Sequence, residues 1–127
     1  MFLTSERHGQ VGRFSFDAES GNALLIIKAG EESTSELEFS CDETNGARLN
    51  VVGTGESLVR ISAGGNEPPT VVVHDPARTV KMTASPDGSA VELLGEVGYQ
   101  VLQLRGSDRS ASLVIRGKDG RTVRLPE

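Results

Sequence analysis

Apolar and polar residues alternate with a period of two along most of this chain. In Ser35–Cys41, Leu37, Phe39 and Cys41 fall on one side, and Glu36, Glu38 and Ser40 on the other. Thr79–Ala84 repeats the pattern, with Val80, Met82 and Ala84 on the apolar side. Successive side chains of a strand point to opposite faces, so this alternation predicts strands of a sheet that is wet on one side. Comparable runs occupy Arg13–Phe16, Ala23–Lys28, Arg48–Val52, Leu58–Ala63, Thr70–His74, Ala90–Leu94, Gln100–Arg105, Ser112–Arg116 and Thr122–Leu125. Val, Ile, Leu and Thr recur in them, as packing on a pleated surface favours. No window of a dozen residues carries an apolar stripe at i, i+3, i+4 and i+7 free of Gly or Pro, so helix is expected to be minimal.

Turn signals separate the runs: Ser20-Gly21-Asn22, Asn45-Gly46, Gly64-Gly65-Asn66, Pro86-Asp87-Gly88 and Lys118-Asp119-Gly120. Asn-Gly and Asp-Gly supply the positive φ angles of tight hairpins. Strands restart about every 10–12 residues, the rhythm of a sandwich or barrel, without any copied residue motif. The expectation is one all-β domain over residues 1–127, an antiparallel sandwich or barrel of about nine to eleven short strands. Residues 1–10 are expected to form a flexible or docking arm.

The inward set is predicted to be Phe14, Phe16, Leu25, Ile27, Leu37, Phe39, Leu49, Val51, Val59, Ile61, Val71, Val73, Val80, Met82, Val91, Leu93, Leu102, Leu104, Leu113, Ile115 and Val123. On that reading Leu37→Asp buries an unpaired carboxylate and unfolds the domain. Two runs, Ala23–Ile27 and Val71–Val73, are apolar on both sides. Either a second layer of the same chain or a neighbouring subunit would explain them, and the second layer is the expectation.

Composition narrows the function classes. The chain has 127 residues, enough for a core without metal or disulfide staples. Cys41 is alone, so an intrachain disulfide and zinc ligation by paired cysteines are excluded. Met1–His8 has no basic segment leading into an apolar run of signal-peptide length. Synthesis in the cytoplasm is therefore expected, with incorporation into a particle as a later step. The longest apolar stretch, Ala23–Ile27, is too short to cross a bilayer as a helix. The net charge of −5 argues against a general nucleic-acid binder. From Gln100 onward six basic residues face three acidic ones, which leaves +3 there and −8 on the rest.

Catalytic chemistry finds no anchor. His74 and Asp75 are adjacent and point in opposite directions in an extended chain, so they form no dyad. His8 sits in a polar segment, and no serine lies in a Gly-x-Ser-x-Gly elbow. Cys41 shares a face with Leu37 and Phe39, which favours an inert thiol over a Cys41–His74 pair. Glu31-Glu32 and Asp42-Glu43 lack the alternating spacing of a calcium loop. Gly53-Thr54-Gly55-Glu56 and Gly64-Gly65 precede strand-like residues, whereas a phosphate loop precedes a helix. Tyr99, with Arg105 and Arg116, is a single aromatic with no second stacking platform. No catalytic residue, cofactor or metal is assigned, and the chain is not expected to be an enzyme.

The functional expectation is a structural or assembly protein that self-associates or decorates a larger particle. Many short strands and turns share the texture of phage and fibre modules, although no motif names a family. Arg105, Arg109, Arg116, Arg121 and Arg124 are the candidate assembly contacts. The alternative is a ligand-binding barrel or sandwich for a carbohydrate or small apolar molecule, with a cavity lined by Tyr99 and the Phe residues.

Overall fold

The computed structural model describes residues 1–5, 9–17, 19–30, 32–95 and 100–126. The described chain is all-β and antiparallel, without helix. Its strands are β1 (Phe2–Ser5), β2 (Gly9–Asp17), β3 (Asn22–Lys28), β4 (Glu36–Asp42), β5 (Gly46–Val52) and β6 (Leu58–Ala63). They continue as β7 (Thr70–Asp75), β8 (Arg78–Ser85), β9 (Gly88–Leu94), β10 (Gln100–Ser107), β11 (Ser110–Arg116) and β12 (Thr122–Leu125). All eleven runs expected from the alternation are strands. The addition is β1, which falls in the expected arm and pairs with β2 at the sheet edge; the Met1 ammonium donates to the Phe14 carbonyl at 2.8 Å.

The topology is a single meander. The twelve strands lie side by side in chain order, each paired antiparallel with the next. The sheet does not close into a barrel, so β1 and β12 are both edges. Extensive contacts between elements link only consecutive strands. The described chain thus forms one open sheet, consistent with a sandwich-like all-β fold, and the expected second layer over Ala23–Ile27 and Val71–Val73 is not found among the described residues.

Register follows the period-two pattern from β2 to β12, apart from an irregularity between Gln100 and Leu102 at the start of β10. One unbroken cross-strand row runs Phe14, Leu25, Phe39, Leu49, Ile61, Val71, Met82, Val91, Leu104, Leu113, Leu125. A second runs Gly12, Ile27, Leu37, Val51, Val59, Val73, Val80, Leu93, Leu102, Ile115, Val123. On the other side of the first row, small residues dominate: Phe16, Ala23, Cys41, Ala47 and Ala63, then Ala84, Ser89, Gly106 and Ala111. A slip of one residue would exchange the faces, so these rows fix the pairing.

The expected inward set occupies this one face, yet none of it is buried. Among the described residues no hydrophobic side chain is fully buried. Leu37 keeps 37% of its surface exposed, Phe39 44% and Met82 48%. The prediction that Leu37→Asp buries a carboxylate within the chain is therefore corrected. The alternation correctly assigned the face, but no layer among the described residues covers it.

The turns are anchored from the strand ends. Asp42 Oδ1 accepts the Thr44 and Asn45 amides at 2.9 and 2.6 Å, and Asp75 Oδ1 those of Ala77 and Arg78 at 2.8 and 2.9 Å. Asp17 caps the β2–β3 turn through Glu19 and Ser20 in the same way. Gly46, at φ 71, lets the β4–β5 turn pass against the Ala63 carbonyl, where a Cβ would collide.

Candidate functional site

The polar face is a mesh of cross-strand partners. Its central row reads Arg13, Ile26, Glu38, Asn50, Arg60, Val72, Lys81, Glu92, Gln103, Val114, Arg124. Asn50 Nδ2 donates to Glu38 Oε1 at 3.0 Å, and Arg60 Nε donates to Asn50 Oδ1 at 2.8 Å. Further along, Gln103 Nε2 donates to Glu92 Oε1 at 2.7 Å. Lys28 and Glu36, paired in register, approach to 3.5 Å. Opposite charges directly across a pair support a sheet, so this row stabilises the register. Leu24, Ile26 and Val72 lie half-buried among these polar side chains, which accounts for the two-sided apolar runs without a second layer on this face.

A groove of about 400 Å³ opens on this face between β8 and β11. Thr83, Glu92, Arg105, Ser107, Ser110 and Ser112 line it. It is polar and open, unlike the apolar cavity expected of a ligand barrel. Phe14, Phe16 and Phe39 lie on the exposed apolar face, and Tyr99 lies outside the described residues.

The five arginines do not converge. Arg105 and Arg124 project from the polar face of β10 and β12, and Arg116 ends β11 on the same face. Arg109 lies in the β10–β11 turn and Arg121 in the β11–β12 loop, at opposite ends of the strands. Arg121 Nε stands 3.4 Å from Asp119 Oδ2, both strongly exposed. Because the meander keeps chain order, the basic C-terminal stretch becomes one edge of the sheet. The turns at one end of the strands carry Asp17, Glu19, Asp42, Glu43, Glu67, Asp87 and Asp108 against Arg109.

The remaining candidates take structural places. Cys41 and His74 sit on opposite faces and three strands apart, so no thiol pair forms. His74 Nδ1 is 2.7 Å from Thr79 Oγ1 of its paired strand. His8 and Glu31 lie outside the described residues, and Glu32 is an exposed loop residue. Asp42 is engaged in its turn, and these hydrogen bonds from Asn45 hold its carboxyl below the ordinary value of 3.8. Gly53–Glu56 and Gly64–Gly65 form turns into β6 and β7. Among the described residues no group of His, Cys, Asp and Glu could hold a metal, and no helix could cross a membrane.

What the sequence reading passed over is the apolar face as a site. Leaving Met1 and Phe2 aside, every exposed large hydrophobic residue among the described ones lies on it. Its extent exceeds the few hundred Å² that monomers ordinarily leave bare. Searches of protein families, curated proteins and solved structures find no match to this chain.

Proposed function

We propose that this protein is a non-enzymatic structural module that works by self-association. The observation behind this reading is the uncovered apolar face, which spans β2 to β12 with no buried apolar side chain among the described residues. Burial of apolar surface is the main favourable contribution to folding, and a lone sheet supplies little of it. Obligate oligomers meet that deficit by burying surface between copies. A structural role agrees with the polar face, where Asn50 joins Glu38 to Arg60 and Gln103 donates to Glu92 across neighbouring strands.

Light scattering at low and high salt tests the proposal. The expected result is a species well above the 13.5 kDa chain mass, retained at high salt because the contact is apolar. A folded monomer at every concentration would refute it. A species that dissociates in high salt would move the contact to the charged turns and the arginine edge.

A further inference from the structure

We infer that the apolar face is covered by a second copy of this chain, face to face, with a two-fold axis running across the strands. The inference rests on the self-association proposed above and specifies its surface and its geometry.

Area comes first. The fifteen large side chains exposed on this face retain from 36% to 64% of their surface. At roughly 150–200 Å² for each such side chain when fully exposed, they offer roughly 1,000 Å² per copy, above the ~800 Å² per partner of a standard stable interface. The chemistry of the face then selects the occupant. None of its three rows contains a charged residue, and the charges flanking them on this face, Asp75 and Arg78, are opposite in sign and paired in register, so no net charge there recruits a partner of complementary charge. A bilayer does not fit, because transmembrane strands need about 9–11 residues and an apolar band ~25 Å tall. Here most strands have six to eight residues, and large side chains fill only two adjacent rows. No described segment of the chain remains to lie over the face. An isologous contact between copies needs only that one patch be complementary to itself.

The rows show how it is complementary to itself. The Phe14–Leu125 row lies in the middle, the bulky Ile27–Val123 row on one side and the small-residue row on the other. A two-fold axis along the strands would stack small on small and bulky on bulky, leaving a gap at one end and a clash at the other. An axis across the strands, along the middle row, lays each small row over the bulky row of the other copy. Cys41 then faces Leu37, Ala47 faces Val51, Ser89 faces Leu93, and Phe16 sits over Gly12. Alternation of large and small across a layer is how cores reach close packing.

Charge points the same way. The acidic turns at one strand end would meet their own copies under an axis along the strands. Under an axis across the strands they meet the mixed-charge end, where Lys28, Arg78, Lys118 and Arg121 lie among carboxylates.

Thiol chemistry on the full chain tests this, in a Cys41→Ser background. Val91→Cys places a thiol in the middle row, where it meets its own mate across the axis. Ala90→Cys places one on the polar face of the same strand. Val91→Cys is expected to alkylate about tenfold or more slowly than Ala90→Cys, since thiol reactivity follows access, and to be joined into a dimer by a short bismaleimide. An axis along the strands would set the two Val91→Cys thiols five strands apart, and no dimer would form. Equal alkylation of the two variants in a species that light scattering shows to be oligomeric would overturn the face-to-face contact and leave self-association standing. A monomer with both thiols reactive would overturn both.

Discussion

At the residue scale, the turns carry most of the specific chemistry, and two positions can be tested. Gly46 is held at φ 71 with the Ala63 carbonyl against the place a Cβ would occupy. The left-handed region alone costs an L-residue about 1–2 kcal/mol, so Gly46→Ala is expected to lose at least that in urea titration. Asp17 and Asp42 both hold carboxyls below the ordinary 3.8, the first chiefly through the Ser20 hydroxyl and the second through the Asn45 amide. A pKa lowered by folding favours the fold above the ordinary value, and that contribution is lost as pH falls through the folded value. Asp42→Ala should therefore lower the Tm at neutral pH and make it less sensitive to acid below pH 3.8. An unchanged acid limb would show that this carboxylate is not holding its turn. These anchors were only half legible in the sequence. Asn45-Gly46 marks the bend, but the aspartate that fastens it sits at the end of the preceding strand and looks like any surface charge.

At the element scale, alternation specified the strands and the direction each side chain takes, because pleating is a local property. It could not reveal what lies above the face. A strand apolar on one side reads the same whether its cover comes from its own chain or from another. β1 was missed because a run of four residues gives too short a pattern to separate from an arm. The arginines illustrate the same limit: a charge count locates them along the chain, while strand parity sends three to the polar face and turns send two to opposite ends. The consequence for Leu37 is specific. Leu37→Asp is expected to abolish association, because it puts a carboxylate in the apolar face. Ser62→Asp, on the polar face opposite Arg48, should leave association intact. It offers an acceptor to Arg48 Nε, which is shielded and has no hydrogen-bond partner among the described residues. Sedimentation of the two variants separates the faces. If Leu37→Asp sediments like the parent, the apolar face is not the contact.

At the scale of the whole molecule, a twelve-strand meander is an extended surface whose contacts are local, which favours rapid pairing of neighbours. Its weakness is that the described residues enclose no interior. The hydrogen-bonded row from Glu38 to Arg60 ties the middle of the sheet on one side, and Asn50→Ala should cost about 1 kcal/mol for each bond it breaks. Bonds of that size hold register and do not replace a core. On the self-association proposed above, stability depends on how much of the chain is associated. The most direct test is the Tm measured by circular dichroism over a wide range of protein concentration. A Tm that climbs steadily with concentration is the result this account requires. A cooperative transition at one temperature from the most dilute sample to the most concentrated would contradict it.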